Sequence, residues 1–347
     1  MNIRRVTRWV QIVVFCWFAV MGALSPAWGG ETLARIKAMG MLRCGVSEGI
    51  PGFSEKDAAG NWKGFDVDFC RAVAAAALGD SKKVRFVPLR AAERFPALKG
   101  GLVDLLMRNT TWTLGREAGL KVKFPGILFY DGQGFMVPID SPTADAKDLQ
   151  GKTICLVKGT THAENLADYF SARGWHYSQV QVDSYGDGLS QVLEGRCQAL
   201  TGDVSALAAQ HLGFPGAREK LRLLPDQISK EPLAPVVRGD DGEWVTLVRW
   251  VLFLLINAEE NGITRDNVQQ LVVDNPTPAV ARSMDACRVF AKPMGIPPDW
   301  AVRVTAQVGN YGEIFDRNLG TKSPYDLERG LNRLWKQGGL LYAPPMR

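Results

Sequence analysis

Hydrophobic and polar positions along the chain alternate between two patterns. Short apolar runs of about five residues are typical of buried strands, and the segments between them carry apolar positions every three or four residues, as amphipathic helices do. This alternation predicts an α/β lobe built on a parallel sheet. In the first half, strands are predicted at 41–46, 84–88 and 102–107, and helices at 33–39, 69–78 and 91–99.

The same strand–helix alternation begins again after residue 150. The two halves share one organisation without a clear sequence repeat, so the chain is expected to form two α/β lobes. In the second half, strands are predicted at 153–157, 180–182 and 199–201, and helices at 163–173, 186–194 and 204–211.

Extended, proline-containing segments at 134–138 and 232–237 are expected to connect the two lobes. Two crossings are needed when one lobe is inserted within the other. We therefore expect residues 31–136 to form the first part of lobe 1, 137–233 to form lobe 2, and 234–347 to return to lobe 1 and add a C-terminal helical extension. In this last part, helices are predicted at 244–260 and 323–337, and the stretch beyond residue 290 is expected to pack on lobe 1.

The first 30 residues have the features of an export signal. Arg4, Arg5 and Arg8 precede an apolar stretch at 10–20, and small residues at 25–29 offer cleavage sites. We expect cleavage near residues 27–30 and a periplasmic mature protein. An uncleaved membrane anchor is the alternative, although the apolar stretch is short for a spanning helix.

The net charge and the length of the chain after residue 30 limit which partners and which domain organisation are expected. Three of the 41 basic residues and none of the 36 acidic ones fall in residues 1–30, so the remainder carries a net charge of about +2. Such a balance argues against nucleic acid as a partner. The roughly 317 remaining residues are enough for two lobes.

Five cysteines remain after the export signal, and an exported protein favours disulfides. Pairing Cys44 with Cys70 would tie the first strand to the first helix, and pairing Cys155 with Cys197 would constrain the second half similarly. Cys287 would then be free. No two cysteines have Cys-x-x-Cys spacing and the three histidines share no helical spacing, so we expect neither a metal site nor a cofactor.

The run from Arg108 to Arg116 carries the clearest binding chemistry. The guanidinium of Arg116 can hold a carboxylate through two parallel hydrogen bonds, and the polar side chains of Asn109, Thr110 and Thr111 can satisfy the remaining lone pairs. A plain polar turn between a strand and a helix explains the same spacing. The sequence alone leaves both interpretations open.

Two further features complete a set of charges. The turn Gly159-Thr160-Thr161 opens a helix, whose free amides suit an anion, although the hydroxyls could simply cap the helix. Asp203 follows a strand and could pair with an ammonium group or cap the next helix. Cationic Arg116, the turn and anionic Asp203 together match the zwitterion of an amino acid.

Catalysis is not expected. The chain has no Gly-x-Ser-x-Gly elbow, no Walker A motif and no His-Glu-x-x-His motif. Glu48 and Glu55 are isolated carboxylates of the kind usually found on a solvated surface.

Six motifs occur in order along the chain, at residues 52–54, 64–70, 108–113, 130–135, 159–161 and 308–313, and together they indicate a family. The mature chain resembles, nearly end to end, the periplasmic general L-amino-acid-binding proteins of ABC transporters, within the polar amino-acid solute-binding family (family 3). The resemblance implies a type II periplasmic-binding-protein fold, an L-amino acid bound in a cleft, delivery to permease subunits in the inner membrane, and a monomer.

The resemblance also implies roles for individual residues. A Thr-x-Thr-x-x-Arg pattern that holds the α-carboxylate matches Thr111, Thr113 and Arg116. Asp203 matches the acid that takes the α-ammonium group. His162 stands where we expect a different residue in close relatives. The other implied contacts are Ser47, Phe53 as an aromatic wall, Asn109, Thr110, and amides of Gly159, Thr160 and Thr161 from the other lobe.

Two alternatives remain on the same fold. A periplasmic enzyme resembling the dehydratases of this fold would need an acid or base aimed at the substrate. A sensor input module would need a signalling segment, and the sequence after the cleft contains none. The sequence does not name the preferred amino acid, and Trp112, between two threonines, is expected to pack in a core instead of stacking on a ligand.

Overall fold

The computed structural model describes residues 30–347, so the predicted signal peptide lies almost wholly outside the described residues. Two α/β lobes are joined by a pair of extended segments, which confirms the predicted fold class. No helix within residues 30–347 is both long and apolar enough to cross a membrane.

Lobe 1 is built on the parallel sheet β4-β1-β5, in which β1 is the central strand. Cys44 faces Phe86 on one side of β1 and Leu105 on the other. A separate short hairpin, β2 with β3, precedes the second helix. The elements of this part are α1 (Glu31–Met39), β1 (Leu42–Val46), β2 (Glu55–Lys56), β3 (Trp62–Lys63), α2 (Phe65–Leu78), β4 (Val84–Pro88), α3 (Arg94–Lys99), β5 (Leu105–Leu106), a π-helical turn (Gly115–Gly119) and β6 (Val122–Lys123).

Helix α2 is the central helix of lobe 1 and follows directly from its sequence. Asp68 in the first turn complements the positive end of the helix dipole. The helix ends at Gly79, whose left-handed backbone favours glycine. A disulfide between Cys44 and Cys70 ties β1 to this helix, as the sequence predicts.

Lobe 2 contains a five-stranded sheet in the order β10-β9-β11-β8-β12. Strands β9, β10 and β11 are parallel, whereas β8 runs antiparallel to both of its neighbours. The predicted disulfide between Cys155 and Cys197 is present and ties β9 to the turn before β11. The elements are β8 (Gln133–Pro138), a 3-10 turn (Ala146–Leu149), β9 (Thr153–Val157), α4 (His162–Ser171), β10 (Ser178–Val182), α5 (Tyr185–Leu193), β11 (Ala199–Asp203), α6 (Val204–Gly213), α7 (Ala217–Lys220) and β12 (Leu221–Leu223).

The crossing between the lobes consists of two antiparallel strands, β7 (Phe129–Asp131) and β13 (Glu231–Leu233), with Asp131 opposite Glu231. The first crossing therefore lies a few residues earlier than the segment 134–138 suggested by the sequence. All of β8 belongs to the lobe 2 sheet, because it pairs with β11 and β12. The expected boundary after residue 136 consequently falls inside a lobe 2 strand.

The rest of the chain returns to lobe 1. Tyr311 and Phe315 pack edge-on against Phe65 of α2, with ring centroids 5.5 and 6.3 Å apart, and the Tyr311 hydroxyl donates to the carbonyl of Leu128 at 2.9 Å. The expected packing of the C-terminal stretch on lobe 1 is therefore observed. Its elements are β14 (Val237–Arg238), α8 (Gly242–Glu260), a π-helical turn (Gln269–Asp274), α9 (Pro278–Ala291), α10 (Trp300–Val308) and α11 (Tyr311–Asn318).

The predicted helix at 323–337 is wrong. The segment contains only two 3-10 turns, Gly330–Asn332 and Trp335–Gln337, separated by extended residues. Gly330 adopts a positive φ of 49°, and Arg329 donates to both carboxylate oxygens of Glu259. Tertiary contacts of this kind override the local helical pattern.

Candidate functional site

The cleft between the lobes is formed at the carboxyl ends of the parallel strands of both sheets, which is where open α/β sheets bind ligands. The side chains enclose a cavity of about 10 Å³, room for about one water molecule. From lobe 1 the lining residues are Ile50, Arg94, Arg108, Asn109, Thr111 and Arg116. From lobe 2 they are Val157, Thr160, Thr161, His162, Tyr185 and Asp203.

A wider space adjoins this inner cavity, and we call it the vestibule. Its volume is about 420 Å³, and it shares Ile50, Arg108, Val157 and Tyr185 with the inner cavity. The other vestibule residues are Ser47, Glu48, Gly49, Arg90, Asp183, Ser184, Gly186, Asp187, Gln210 and Phe214.

Arg116 enters the inner cavity from the π-helical turn that follows the Thr111–Thr113 segment. Its Nη1 donates to the carbonyl of Thr111 at 2.8 Å, and its Cζ lies 5.6 Å from the centroid of the Phe95 ring. These contacts hold the guanidinium in place on one side. Burial lowers the pKa of Arg116, although a guanidinium remains charged at any physiological pH.

Asp203 lies at the end of β11 and lines the cavity from lobe 2. Its Oδ1 lies 3.0 Å from Nε2 of His162, the first residue of α4, and its backbone N–H donates to the hydroxyl of Tyr185 at 3.1 Å. His162 is buried, and its Nδ1 has no hydrogen-bond partner among the described residues. One carboxylate oxygen of Asp203 therefore remains available to a cationic group.

The turn from Gly159 to Thr161 touches lobe 1 directly. The Gly159 carbonyl accepts a hydrogen bond from Nη2 of Arg94 at 3.2 Å. Gly159 has a φ of 75°, and a Cβ there would lie 2.9 Å from the backbone of Ala92, so the close approach requires glycine. The Thr160 hydroxyl donates to the Val157 carbonyl at 2.7 Å, which stabilises the turn.

Glu231 connects both lobes beneath the cavity. Although it lies on crossing strand β13 and is only 1% exposed, its Oε2 accepts hydrogen bonds from Thr111 of lobe 1 at 2.5 Å and Thr161 of lobe 2 at 3.0 Å. Its Oε1 accepts from Asn165 and Ser229 at 2.5 and 2.9 Å. Both threonine hydroxyl protons are thus committed to Glu231, and a hydroxyl must rotate before it can donate to a ligand.

Removing this carboxylate should destabilise the fold. Glu231→Ala removes the acceptor of the buried hydroxyls of Thr111 and Thr161 and of the half-buried hydroxyl of Ser229, so we expect the free energy of unfolding to fall by about 2–3 kcal/mol, measured by urea denaturation. Glu231→Gln keeps an acceptor oxygen and should lose less. Glu219→Ala, at an exposed position on α7, serves as the control and should stay within about 0.5 kcal/mol of the wild type. Equal losses for Glu231→Ala and Glu219→Ala would contradict the bridging role.

Asn109 is the most strained residue of the site. It is a non-glycine residue with a φ of 40°, and its side-chain Oδ1 and Nδ2 are buried without a partner among the described residues. Its backbone N–H donates to Asp66 at 3.4 Å. A buried, unpartnered amide in a cavity wall is suited to hydrogen-bonding a ligand.

Several expected contacts lie outside the inner cavity. Phe53 packs edge-on against Phe65 and Phe129 in the lobe 1 core, with centroids 6.2 and 5.4 Å away, so it forms no wall of this cavity. The Thr110 hydroxyl donates to the carbonyl of Arg108, and Ser47 lines the vestibule instead.

Other lining residues were missed by the sequence analysis. Arg94, Arg108 and Tyr185 contribute to the cavity although none of them was singled out as a ligand contact, and Arg108 even begins the run in which Arg116 was singled out. Arg108 and Tyr185 each follow closely on the end of a predicted strand, whereas Arg94 lies inside the predicted helix at 91–99 and carries no such signal. Trp112 stacks on Phe124 with a centroid separation of 5.5 Å, in agreement with the expected packing role.

His162, Asp203 and Glu231 form a cluster that sequence spacing did not reveal. Their potential ligand atoms all lie within 4.8 Å of one another. However, the guanidiniums of Arg94 and Arg116 line the same cavity, and threonine hydroxyls already donate to Glu231. Nearby cations and hydrogen-bond donors oppose a metal ion and instead favour a ligand that carries negative charge.

Comparisons with known proteins agree with this geometry. Residues 42–276 match the family of bacterial extracellular solute-binding proteins, family 3. The general L-amino acid-binding periplasmic protein AapJ of Rhizobium johnstonii is 44% identical over 95% of this chain and 96% of its own length. The glutamate/glutamine/aspartate/asparagine-binding protein BztA of Rhodobacter capsulatus is 43% identical over 95% of this chain and 97% of its own.

A solved structure shows that the resemblance extends to the fold. The ABC transporter periplasmic binding protein from Brucella ovis, with glutathione bound, superposes with a TM-score of 0.86 at 43% identity, covering 91% of this chain and 99% of that one. The two lobes, the paired crossing strands and the cleft are those of a type II periplasmic binding protein. The chain belongs to the bacterial extracellular solute-binding proteins of family 3.

Proposed function

We propose that this protein captures L-amino acids in the interlobe cleft and delivers them to the permease of an ABC transporter. One observation carries the proposal: cationic Arg116 from lobe 1 and anionic Asp203 from lobe 2 line the same cavity. An α-carboxylate and an α-ammonium group match this pair of charges. Asn109 and the amides of the turn from Gly159 to Thr161 supply further polar contacts.

Ligand binding is coupled to closure because the charged partners come from opposite lobes. A cavity of about 10 Å³ cannot admit an amino acid, so the ligand enters an opened cleft. It meets one lobe first, and contacts to the second lobe then favour the closed form. The paired strands β7 and β13 are the only strand-to-strand link between the lobes in residues 30–347 and act as the hinge. The closed form is the one presented to the permease.

The relatives support this assignment and its setting. AapJ is named as a general L-amino acid-binding periplasmic protein, and BztA as a binding protein for acidic amino acids and their amides. By analogy with AapJ we place the mature protein in the periplasm after removal of the signal peptide, and we further propose that it acts as a monomer. It requires no cofactor for this task.

An enzyme on the same fold is the competing function, and the site gives it little support. The inner cavity brings together guanidiniums, hydroxyls and an imidazole bonded to Asp203. Each of these groups has a ready role in holding a zwitterion. The close relatives are named as binding proteins. Product analysis after long incubation with amino acids should therefore return them unchanged.

A second candidate ligand is glutathione, which is bound in the Brucella ovis structure. Its γ-glutamyl end carries the same free α-amino and α-carboxylate groups as an amino acid. That end suits the inner cavity, and the vestibule of about 420 Å³ offers space for the remaining two residues. Glutathione therefore belongs in any ligand screen of this protein.

A calorimetric screen of the common L-amino acids, their D-enantiomers and glutathione tests the proposal. We expect at least one L-ligand to bind with a Kd near 1 μM, which corresponds to about −8 kcal/mol. A D-enantiomer misplaces one charged group and should bind at least about tenfold more weakly. Absence of binding by every amino acid and by glutathione would refute the function.

A further inference from the structure

Three guanidiniums line the inner cavity, and none forms an ion pair within residues 30–347. Arg94 donates to the carbonyls of Ala91 and Gly159. The Nε of Arg108 donates to the carbonyl of Leu89 at 3.0 Å. Arg116 donates to a backbone carbonyl, as described above. Arg94 and Arg108 are only 1% and 8% exposed. Buried cations that meet only neutral acceptors are costly unless an anion joins them.

A simple zwitterion does not neutralise the net charge of the residues around the inner cavity. Arg94, Arg108 and Arg116 face two carboxylates, Asp203 and Glu231, which line or underlie the cavity. A zwitterion adds one positive and one negative charge, so an excess of positive charge remains. A ligand with a net charge of −1 removes that excess.

Two further buried acids lie close by without changing this balance. Burial and the nearby Asp203 raise the pKa of Asp131 to about 8, and burial raises the pKa of Asp66 to about 7. These groups therefore carry little or only partial negative charge near pH 7. They leave the excess positive charge of the three guanidiniums largely in place.

The position of Arg108 shows where a second anionic group would lie. Arg108 lines both the inner cavity and the vestibule, together with the apolar side chains of Ile50 and Val157. A ligand anchored at Arg116 and Asp203 would run its side-chain methylenes past these two apolar residues. The end of that side chain would then meet the guanidinium of Arg108.

The charged groups at the vestibule wall are largely paired already. Arg90 lies 3.6 Å from Glu48, and Asp183 forms an ion pair with Lys158. Arg108, by contrast, has no carboxylate partner among the described side chains. It is the guanidinium best placed to receive an anion from a ligand that extends toward the vestibule.

We infer that Arg108 is the specificity-determining residue of the cleft and binds a second carboxylate, carried by the ligand's side chain. The preferred ligands are then amino acids with a net charge of −1. This inference rests on the proposed function, because the α-carboxylate and α-ammonium groups must occupy the inner cavity as described. The second carboxylate can belong to the side chain of a free acidic amino acid. It can also belong to a peptide whose first residue is joined to the next through its side-chain carboxyl group, and the vestibule has room for such a peptide.

The test compares ligands that differ mainly in that charge. Calorimetry on the wild-type protein should give L-glutamate at least about tenfold tighter binding than L-glutamine, which has nearly the same shape. In Arg108→Gln, this ratio should fall to about one or below. Arg85→Gln removes an equal charge from an exposed position on β4 and should leave the ratio unchanged.

Adding γ-glutamylglycine as a third ligand distinguishes the two sources of the carboxylate. Tighter binding of L-glutamate indicates a free acidic amino acid, and tighter binding of γ-glutamylglycine indicates a linked peptide. Either result supports the inference if Arg108→Gln abolishes the preference over L-glutamine.

The results that would contradict the role of Arg108 differ from those that would contradict the proposed function. Wild-type binding of L-glutamine that is at least as tight as that of both L-glutamate and γ-glutamylglycine overturns the role of Arg108 but leaves amino-acid capture intact, and this comparison needs no variant. An unchanged ratio in Arg108→Gln overturns it as well. Failure of all ligands to bind refutes both proposals together.

Discussion

Replacing Arg116 with alanine should weaken binding of the preferred amino acid by about 3–5 kcal/mol, a loss of about 150-fold to several thousandfold. Its guanidinium is held by the Thr111 carbonyl and the Phe95 ring, so it is already positioned for a carboxylate. Without it, the α-carboxylate would be buried without its cationic partner. Calorimetry with the preferred ligand measures the loss directly.

The variant should remain folded, because Arg116 is only half-buried and supports no other element through an ion pair among the described residues. Arg116→Lys keeps the charge but not the planar fork, and an intermediate loss is expected. Arg288→Ala, at an exposed position on α9, is the control and should bind normally. Affinity of Arg116→Ala within a few fold of the wild type would contradict the carboxylate assignment.

Removing the disulfide of lobe 2 should produce the largest loss of stability. The bond between Cys155 and Cys197 spans 42 residues, and the loss of a loop of that size corresponds to about 4 kcal/mol in the chain-entropy model. Both positions are buried, at 0% and 1% exposed, so alanine is a better replacement than serine, whose hydroxyl would need a partner. The free energy of unfolding from urea denaturation measures the effect.

The reduced wild-type protein provides the matched control for this experiment. It should lose at least as much stability as Cys155→Ala/Cys197→Ala, because reduction also opens the bond between Cys44 and Cys70. Since β9 ends at Val157 in the cavity wall, the double variant should also bind its ligand more weakly. A free energy of unfolding within about 1 kcal/mol of the wild type would contradict a stabilising role for this bond.

The sequence predicted the helices and strands best where periodicity is strong. The strand Thr153–Val157 and the central part of α8 (Gly242–Glu260) lie as expected, because the strand is a continuous buried run and the helix buries one face along its length. The prediction failed at 323–337, where contacts from Arg329 to Glu259 and Asn332 decide the backbone path. Such long-range contacts leave no periodic signal.

The candidate site was predictable in part. Arg116, Asp203 and the turn at Gly159 were found because each combines a strand end with a charge or with free amides, which is a local signal. Glu231 was not found, since a glutamate beside a proline in an extended segment looks like an ordinary surface charge. Its burial depends on the crossing of β13 between the lobes and on donors from both of them.

The sequence by itself determined the two-lobed α/β organisation, the candidate partners of a zwitterion and both disulfides, because these depend on local periodicity, short motifs and a small number of cysteines. Only the tertiary structure decided which distant charges meet. Arg94 and Arg108 reach one cavity because parallel strands of lobe 1 end at the same edge of its sheet, and the crossing strands bring lobe 2 against that edge. The excess of positive charge in the cleft therefore arises only from the tertiary structure, which brings these distant guanidiniums together.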